Sequence, residues 1–252
     1  MNSFFASVFQ HQRLITIASL AVVVSLCALI MQWSGDRLMM VDPSSGVVLY
    51  ASLVFVMWWT MMMAMMLPTA VPALLTDAAV TRKFTRNEGS AWAAIAFAAG
   101  YVVIWSAFAL AATVINIVLG TLIQMTPMMA IASKIIGIVL LAIAGLYQLT
   151  PAKQSCLSKC QSPFAFAPGQ WRAGTDAAFM RGLRHGLFCT GCCGVLMFLL
   201  FYGGVMEINW IGGLALYVLL EKLIPIHWRL HQFTGILLLL WAGALAVALV
   251  HA

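Results

Sequence analysis

Apolar residues run in long blocks along this chain, and the polar positions fall mostly between them. A helix that crosses a hydrocarbon layer of ~30 Å needs about 20 apolar residues at ~1.5 Å each. Seven blocks reach or approach that length: Leu14–Trp33, Val47–Leu67, Trp92–Leu119, Ala130–Leu149, Leu183–Met206, Ile208–Ile226 and Thr234–Val250. The pattern predicts an all-α fold, a polytopic transmembrane helix bundle forming a single integral membrane domain over residues 1–252. The third block is longer than a bilayer requires and should tilt or project. The sixth is the weakest, because Glu221 and Lys222 sit near its end. Short connections make antiparallel hairpins of the third and fourth blocks and of the fifth and sixth. The first block has no small-x-small cleavage site, and Leu26 rather than a small residue precedes Cys27, so it reads as a retained span.

Composition narrows the class. Hydrophobic residues make up 63% of the chain and charged ones 8%, where a soluble domain carries roughly 25% charged. Mean hydropathy is +1.01. These values exclude a soluble enzyme, a disordered chain and a nucleic-acid binder, and they make the lipid bilayer the first partner. The net charge of +6 becomes an orientation signal once the basic residues are placed. With the N-terminus inside, the inner segments hold Arg13, Arg82, Lys83, Arg86, Lys153, Lys159, Arg172, Arg181, Arg184, Lys222 and Arg229. Only Arg37 and Lys134 lie at the outer side. The expected location is the bacterial inner membrane, multi-pass, with the C-terminus outside. The one long loop, 150–182, is then cytoplasmic. Its three prolines, Pro151, Pro163 and Pro168, argue against a large folded domain there.

The chain also carries 16 Met and 6 Cys. Cys156 and Cys160 follow the fourth block as C-x3-C, and Cys189, Cys192 and Cys193 begin the fifth. On helices, 156 and 160 share a face, and so do 189, 192 and 193, with His185 one turn back. The fourth and fifth blocks meet at the inner side, so the two clusters can converge. Clustered thiols on a reducing face suit a soft metal, Cu(I) or Zn(II), better than a disulfide. Cys27 stands alone and reads as a small buried hydrophobe.

The second block holds six Met within ten residues, Met57 to Met66. Met61 and Met65 are candidates to line the approach to the thiols. Thioether is a poor zinc ligand and a reasonable Cu(I) ligand, although methionine is also an ordinary core filler. Pro68 would free backbone carbonyls that must be satisfied inside the bundle. Glu221 is a candidate by its place at the edge of the hydrocarbon, with Lys222 snorkelling or Glu221 pairing with a loop arginine such as Arg184. His227 and His231 lie one turn apart beside Trp228 and Arg229 and read as interfacial anchors. No catalytic constellation appears among the scattered acids, so the chain does not read as an enzyme.

Several of these motifs together resemble the bacterial family of predicted metal-binding integral membrane proteins, a domain of unknown function. They are Trp58-Trp59 through Met66-Leu67-Pro68, Tyr147-Gln148-Leu149-Thr150-Pro151 with Lys153 and Cys156-x3-Cys160, Gly182 and Gly186 with Cys189-x-Gly191-Cys192-Cys193, and Glu221-Lys222. The resemblance covers residues 50–225 and implies metal binding. This chain departs from the family pattern at Gly194, where an aromatic is expected after the paired cysteines.

The expected function is binding of a soft metal, Cu(I) first and Zn(II) second, in transport or delivery. Cys156, Cys160, Cys189, Cys192, Cys193 and His185 would hold the ion, with Met61 and Met65 nearby. A metallochaperone or a membrane enzyme would be the partner. A thiol redox or assembly scaffold, or a structural zinc site in an accessory subunit, are the alternatives.

Overall fold

The computed structural model describes residues 22, 25–38, 46–85, 90–126, 128–161 and 174–251. Among them every regular element is helical apart from an isolated bridge between Met125 and Ile131. The helices are α1 (residues 25–38), α2 (Val47–Thr85), α3 (Ser90–Leu122), α4 (Lys134–Gln148), α5 (Pro151–Gln161), α6 (Thr175–Met197), α7 (Leu200–Gly203), α8 (Ile208–Leu223) and α9 (Leu230–Val250).

Four stretches are long and apolar enough to cross a membrane: Val47–Arg82, Ala91–Leu122, Thr175–Gly203 and Ile226–Val250. The pair α4 and α5, bent by 65° at its junction, makes a fifth if counted as one span. This is compatible with a membrane protein but falls short of the seven spans expected. Half of the first expected span lies outside the described residues, and the rest is residue 22 and the start of α1. The sixth, as α8, is 16 residues long, about 24 Å at the helical rise.

Two boundaries differ for local reasons. The fourth span was expected from Ala130, but helix begins only at Lys134. Residues 124–126 instead pair with residues 130–132, with the Thr126 N–H on the Ala130 carbonyl and the Ala132 N–H on that of Gln124. The stretch 150–182, expected as a loop, is helical over Pro151–Gln161 and again from Thr175. Thr150 caps α5, its Oγ1 accepting from the Lys153 N–H at 3.2 Å. Pro151 occupies the first helical position, where its missing N–H costs nothing. α2 runs straight through Pro68 and Pro72 for 39 residues. The prolines leave the carbonyls of Ala64 and Pro68 without their usual donors, and hydroxyls collect in this stretch. Thr69 Oγ1 and Tyr101 OH both donate to the Met66 carbonyl, at 2.8 and 3.0 Å.

The bundle is apolar outside and polar within. Leu110, Val114 and Val118 on α3 and Ile135, Val139 and Ile143 on α4 are exposed at four-residue spacing. Lys153, Arg181, Asp77, Glu221, His185 and His231 are buried. Lipid would cover the outer face at no cost, and inside, Lys153 pairs with Glu221 and Arg181 with Asp77.

Close helix contact makes this interior possible. α3 packs most extensively on α6, and α4 on α9. A Cβ at Gly182 would lie 2.0 Å from the Phe97 carbonyl oxygen, and one at Gly100 would lie 2.3 Å from that of Phe179. Only glycine allows backbones to meet this closely. The same reciprocity holds α4 to α9 through Gly145 and Gly235. Gly182→Ala should therefore cost about 1–3 kcal/mol, the usual penalty for overpacking. Gly212→Ala, with nothing within 4 Å, should be neutral or slightly stabilising. Thermal unfolding of the two variants in detergent checks the contrast.

Candidate metal centre

The centre is built on α6. Cys189, Cys192 and Cys193 are fully buried on it, as the helical spacing requires. The Cys192 and Cys193 thiols fold back on the preceding turn, both donating to the Cys189 carbonyl at 3.1 and 3.0 Å. Cys193 Sγ also lies 3.9 Å from Met66 Sδ on α2. Cys189 points the other way. Its sulfur meets the Lys222 ammonium of α8 at 2.8 Å and the Tyr101 hydroxyl of α3 at 3.1 Å.

α5 brings the second cluster in. Cys160 comes close enough to the Cys189 and Cys192 thiols to interact with them electrostatically. Cys156 lies over Gly191, where a Cβ would stand 2.8 Å from its sulfur. The two clusters therefore converge as the topology predicts. All six described cysteines are free thiols. Cys27 is buried in the hydrophobic core.

The remaining candidates divide. His185 sits one turn from Cys189, between the rings of Phe97 and Tyr101 at 5.8 and 5.7 Å. Met61 and Met65 are buried in the common core, but the thioether that reaches a thiol is Met66. As the side chains stand, no three Cys, His, Asp or Glu among the described residues are arranged as a ready ion cage. The Cys192 and Cys193 thiols are instead engaged as donors to the Cys189 carbonyl.

Around the sulfurs lies a polar shell that the sequence did not disclose. The Lys153 ammonium donates to the Cys192 carbonyl and pairs with Glu221 Oε2 at 2.8 Å. Tyr217 OH donates to the other oxygen of Glu221 at 3.0 Å, and Gln148 Nε2 donates to Tyr217 OH at 3.0 Å. The Tyr147 hydroxyl donates to the Gly191 carbonyl. The Gln161 amide donates to the carbonyls of Glu221 and Ile224 at 2.8 and 2.7 Å. These bonds tie α4, α5 and α8 to the backbone of the cysteine turn.

Three expectations are corrected here. Glu221 pairs with Lys153, not with a loop arginine. Lys222 does not snorkel outward: its ammonium turns in to Cys189 and to Thr69 Oγ1 at 2.8 Å. It makes no ion pair with a carboxylate among the described residues. His231 is buried and close enough to Glu221 and Lys153 to feel their charges, whereas His227 and Trp228 are exposed as interfacial anchors would be. At Gly194 the space is shared by the Phe108 ring, 3.5 Å from where a Cβ would stand. α3 therefore supplies an aromatic at the place where the chain lacks one of its own.

The described residues thus form a helical bundle with an apolar exterior around a buried thiol cluster and a lysine ammonium. The family described as PpoB2, copper chaperone, matches residues 55–245, well over half the chain, and the chain belongs to it. That agrees with the metal binding that the resemblance implies and with the copper-related function read from the sulfur ligands; the family description does not speak of membranes. No curated protein and no solved structure matches the chain.

Lys153 and Glu221 are 0% and 1% exposed, so neither charge has water to fall back on. Lys153→Met should cost about 3–5 kcal/mol, because it strands a buried carboxylate. The double variant Lys153→Met with Glu221→Gln should lose less than the single one. Unfolding in mixed micelles measures both.

Proposed function

We propose that this protein is a multi-pass inner-membrane copper chaperone that binds Cu(I) at its thiol cluster and hands it on without chemical conversion. The observation that carries this reading is Cys189. Its sulfur is dry, sits among Cys160, Cys192 and Cys193, and faces the Lys222 ammonium at 2.8 Å. Soft sulfur suits Cu(I) over harder ions, and the Met66 thioether beside Cys193 adds to that preference. A Cu(I) held by two thiolates carries one negative charge, which Lys222 balances. Exchange between neighbouring sulfurs lets an ion be held and still leave. Zn(II) is the second metal. The asymmetry of basic residues supports seven spans with the N-terminus inside, and it places the thiols toward the cytosol, where a metallochaperone or a membrane enzyme could receive the ion.

A thiol redox role is the second reading, favoured by the approach of Cys160 to Cys189 and Cys192. It requires a reversible disulfide between α5 and α6 in cells.

Competition of the purified full chain against a chromophoric Cu(I) chelator tests the copper reading. Wild type should retain Cu(I). Cys189→Ser should weaken it by about two orders of magnitude, roughly 2.7 kcal/mol, and Cys192→Ser with Cys193→Ser by a similar factor. Met61→Leu should change little. Copper retention that is absent, or that is indifferent to the cysteines, contradicts the proposal.

A further inference from the structure

The thiol cluster reaches the exterior through one described cavity of about 150 Å³, lined by Thr69, Cys160, Gln161 and Lys222, with Leu219 and Leu223 among its apolar walls. Two of those residues belong to the site itself. Cys160 is the α5 thiol that lies near Cys189 and Cys192, and Lys222 holds its ammonium against Cys189. Thr69 Oγ1, at 2.8 Å from the same ammonium, fixes that charge at the inner end of the cavity. The nearest acid, Glu221, is turned away and engaged by Lys153 and Tyr217. No carboxylate lines this cavity, so the fixed charge that an incoming species meets on its wall is the Lys222 ammonium, which favours an anion over a bare Cu(I) cation.

We infer that the site takes its copper as an anionic Cu(I) bis-thiolate, [RS–Cu–SR]⁻, through this cavity, with Lys222 as the group that selects the anion. The inference rests on the copper reading above. The cavity is small beside a peptide thiol but large enough for a sulfur–copper–sulfur unit and its adjoining carbons, which the leucines would cover. The Cys160 thiol attacks first: its Cu–S bond forms, one carrier Cu–S bond breaks, and the Cys160 proton leaves on the departing thiolate as RSH. Cys189 displaces the second carrier thiol in the same way. Copper stays Cu(I) throughout, and the complex keeps its single negative charge beside Lys222 at every stage.

The test compares loading of the purified full chain from Cu(I)–glutathione, an anionic bis-thiolate, with loading from the cationic Cu(I)–acetonitrile complex. Copper is counted after desalting. Raising ionic strength should slow loading from the anion and speed it from the cation. In Lys222→Gln the ratio of anion to cation loading rates should fall at least tenfold, and Lys222→Arg should restore most of it. A dicysteine peptide carrying Cu(I) should show the same lysine dependence, and the faster of the two thiolate donors tells a protein source from a small thiol. Equal salt dependence for anion and cation, or an unchanged ratio in Lys222→Gln, overturns the inference and leaves the copper reading standing. Wild type that loads from no donor sinks the copper reading itself.

Discussion

The contact between the Lys222 ammonium and the Cys189 sulfur governs the rest of this structure. A charge taken out of water inside an apolar bundle is costly unless polar groups meet it. Here the groups come from three other helices: Thr69 from α2, Tyr101 through Cys189 from α3, and Cys189 itself from α6. That convergence demands helices at near-backbone contact, which Gly100 and Gly182 supply between α3 and α6. It also demands that α8 be held in register. Glu221, the residue before Lys222, does this by pairing with Lys153, which in turn holds the Cys192 carbonyl. Adjacent residues of one helix thus grip the cysteine turn from two sides, one at a sulfur and one at the backbone.

This arrangement links an outward apolar surface to chemistry at the centre. The exterior leucines, isoleucines and valines ask only for an apolar surround, so the capacity for specific interaction is concentrated inside. The interior separates an ion pair, Lys153 with Glu221, from Lys222, which meets Cys189 and Thr69 but no carboxylate among the described residues. The first is architecture. The second stands between thiols and cavity, and its proposed role is to favour a negatively charged sulfur complex over a bare cation.

Much of this was legible in the sequence, and the limits have physical causes. Apolar block length located the helices, because each block must satisfy its own backbone. Helical spacing placed Cys189, Cys192 and Cys193 on one face, and the short chain from α4 into Cys156 and Cys160 let the clusters meet. The Thr150-Pro151 capping signal for α5 was present, but the prolines farther along favoured a loop reading. The destination of Lys222 was not legible: a long side chain near a helix end can reach water or turn inward, and only residues 33 and 153 positions away decide which. Tyr101 gave no signal within its apolar run. Periodicity split the α2 methionines into two faces, but packing against α6 chose Met66 over Met61 and Met65.

The central claim is that Cu(I) is bound by sulfur at Cys189 and its neighbours. X-ray absorption at the copper edge on the loaded full chain addresses it most directly. The account predicts Cu(I) with an all-sulfur first shell that is lost or replaced by oxygen and nitrogen in Cys189→Ser. An oxygen and nitrogen shell in the wild type, or a sulfur shell unchanged by that substitution, would contradict it.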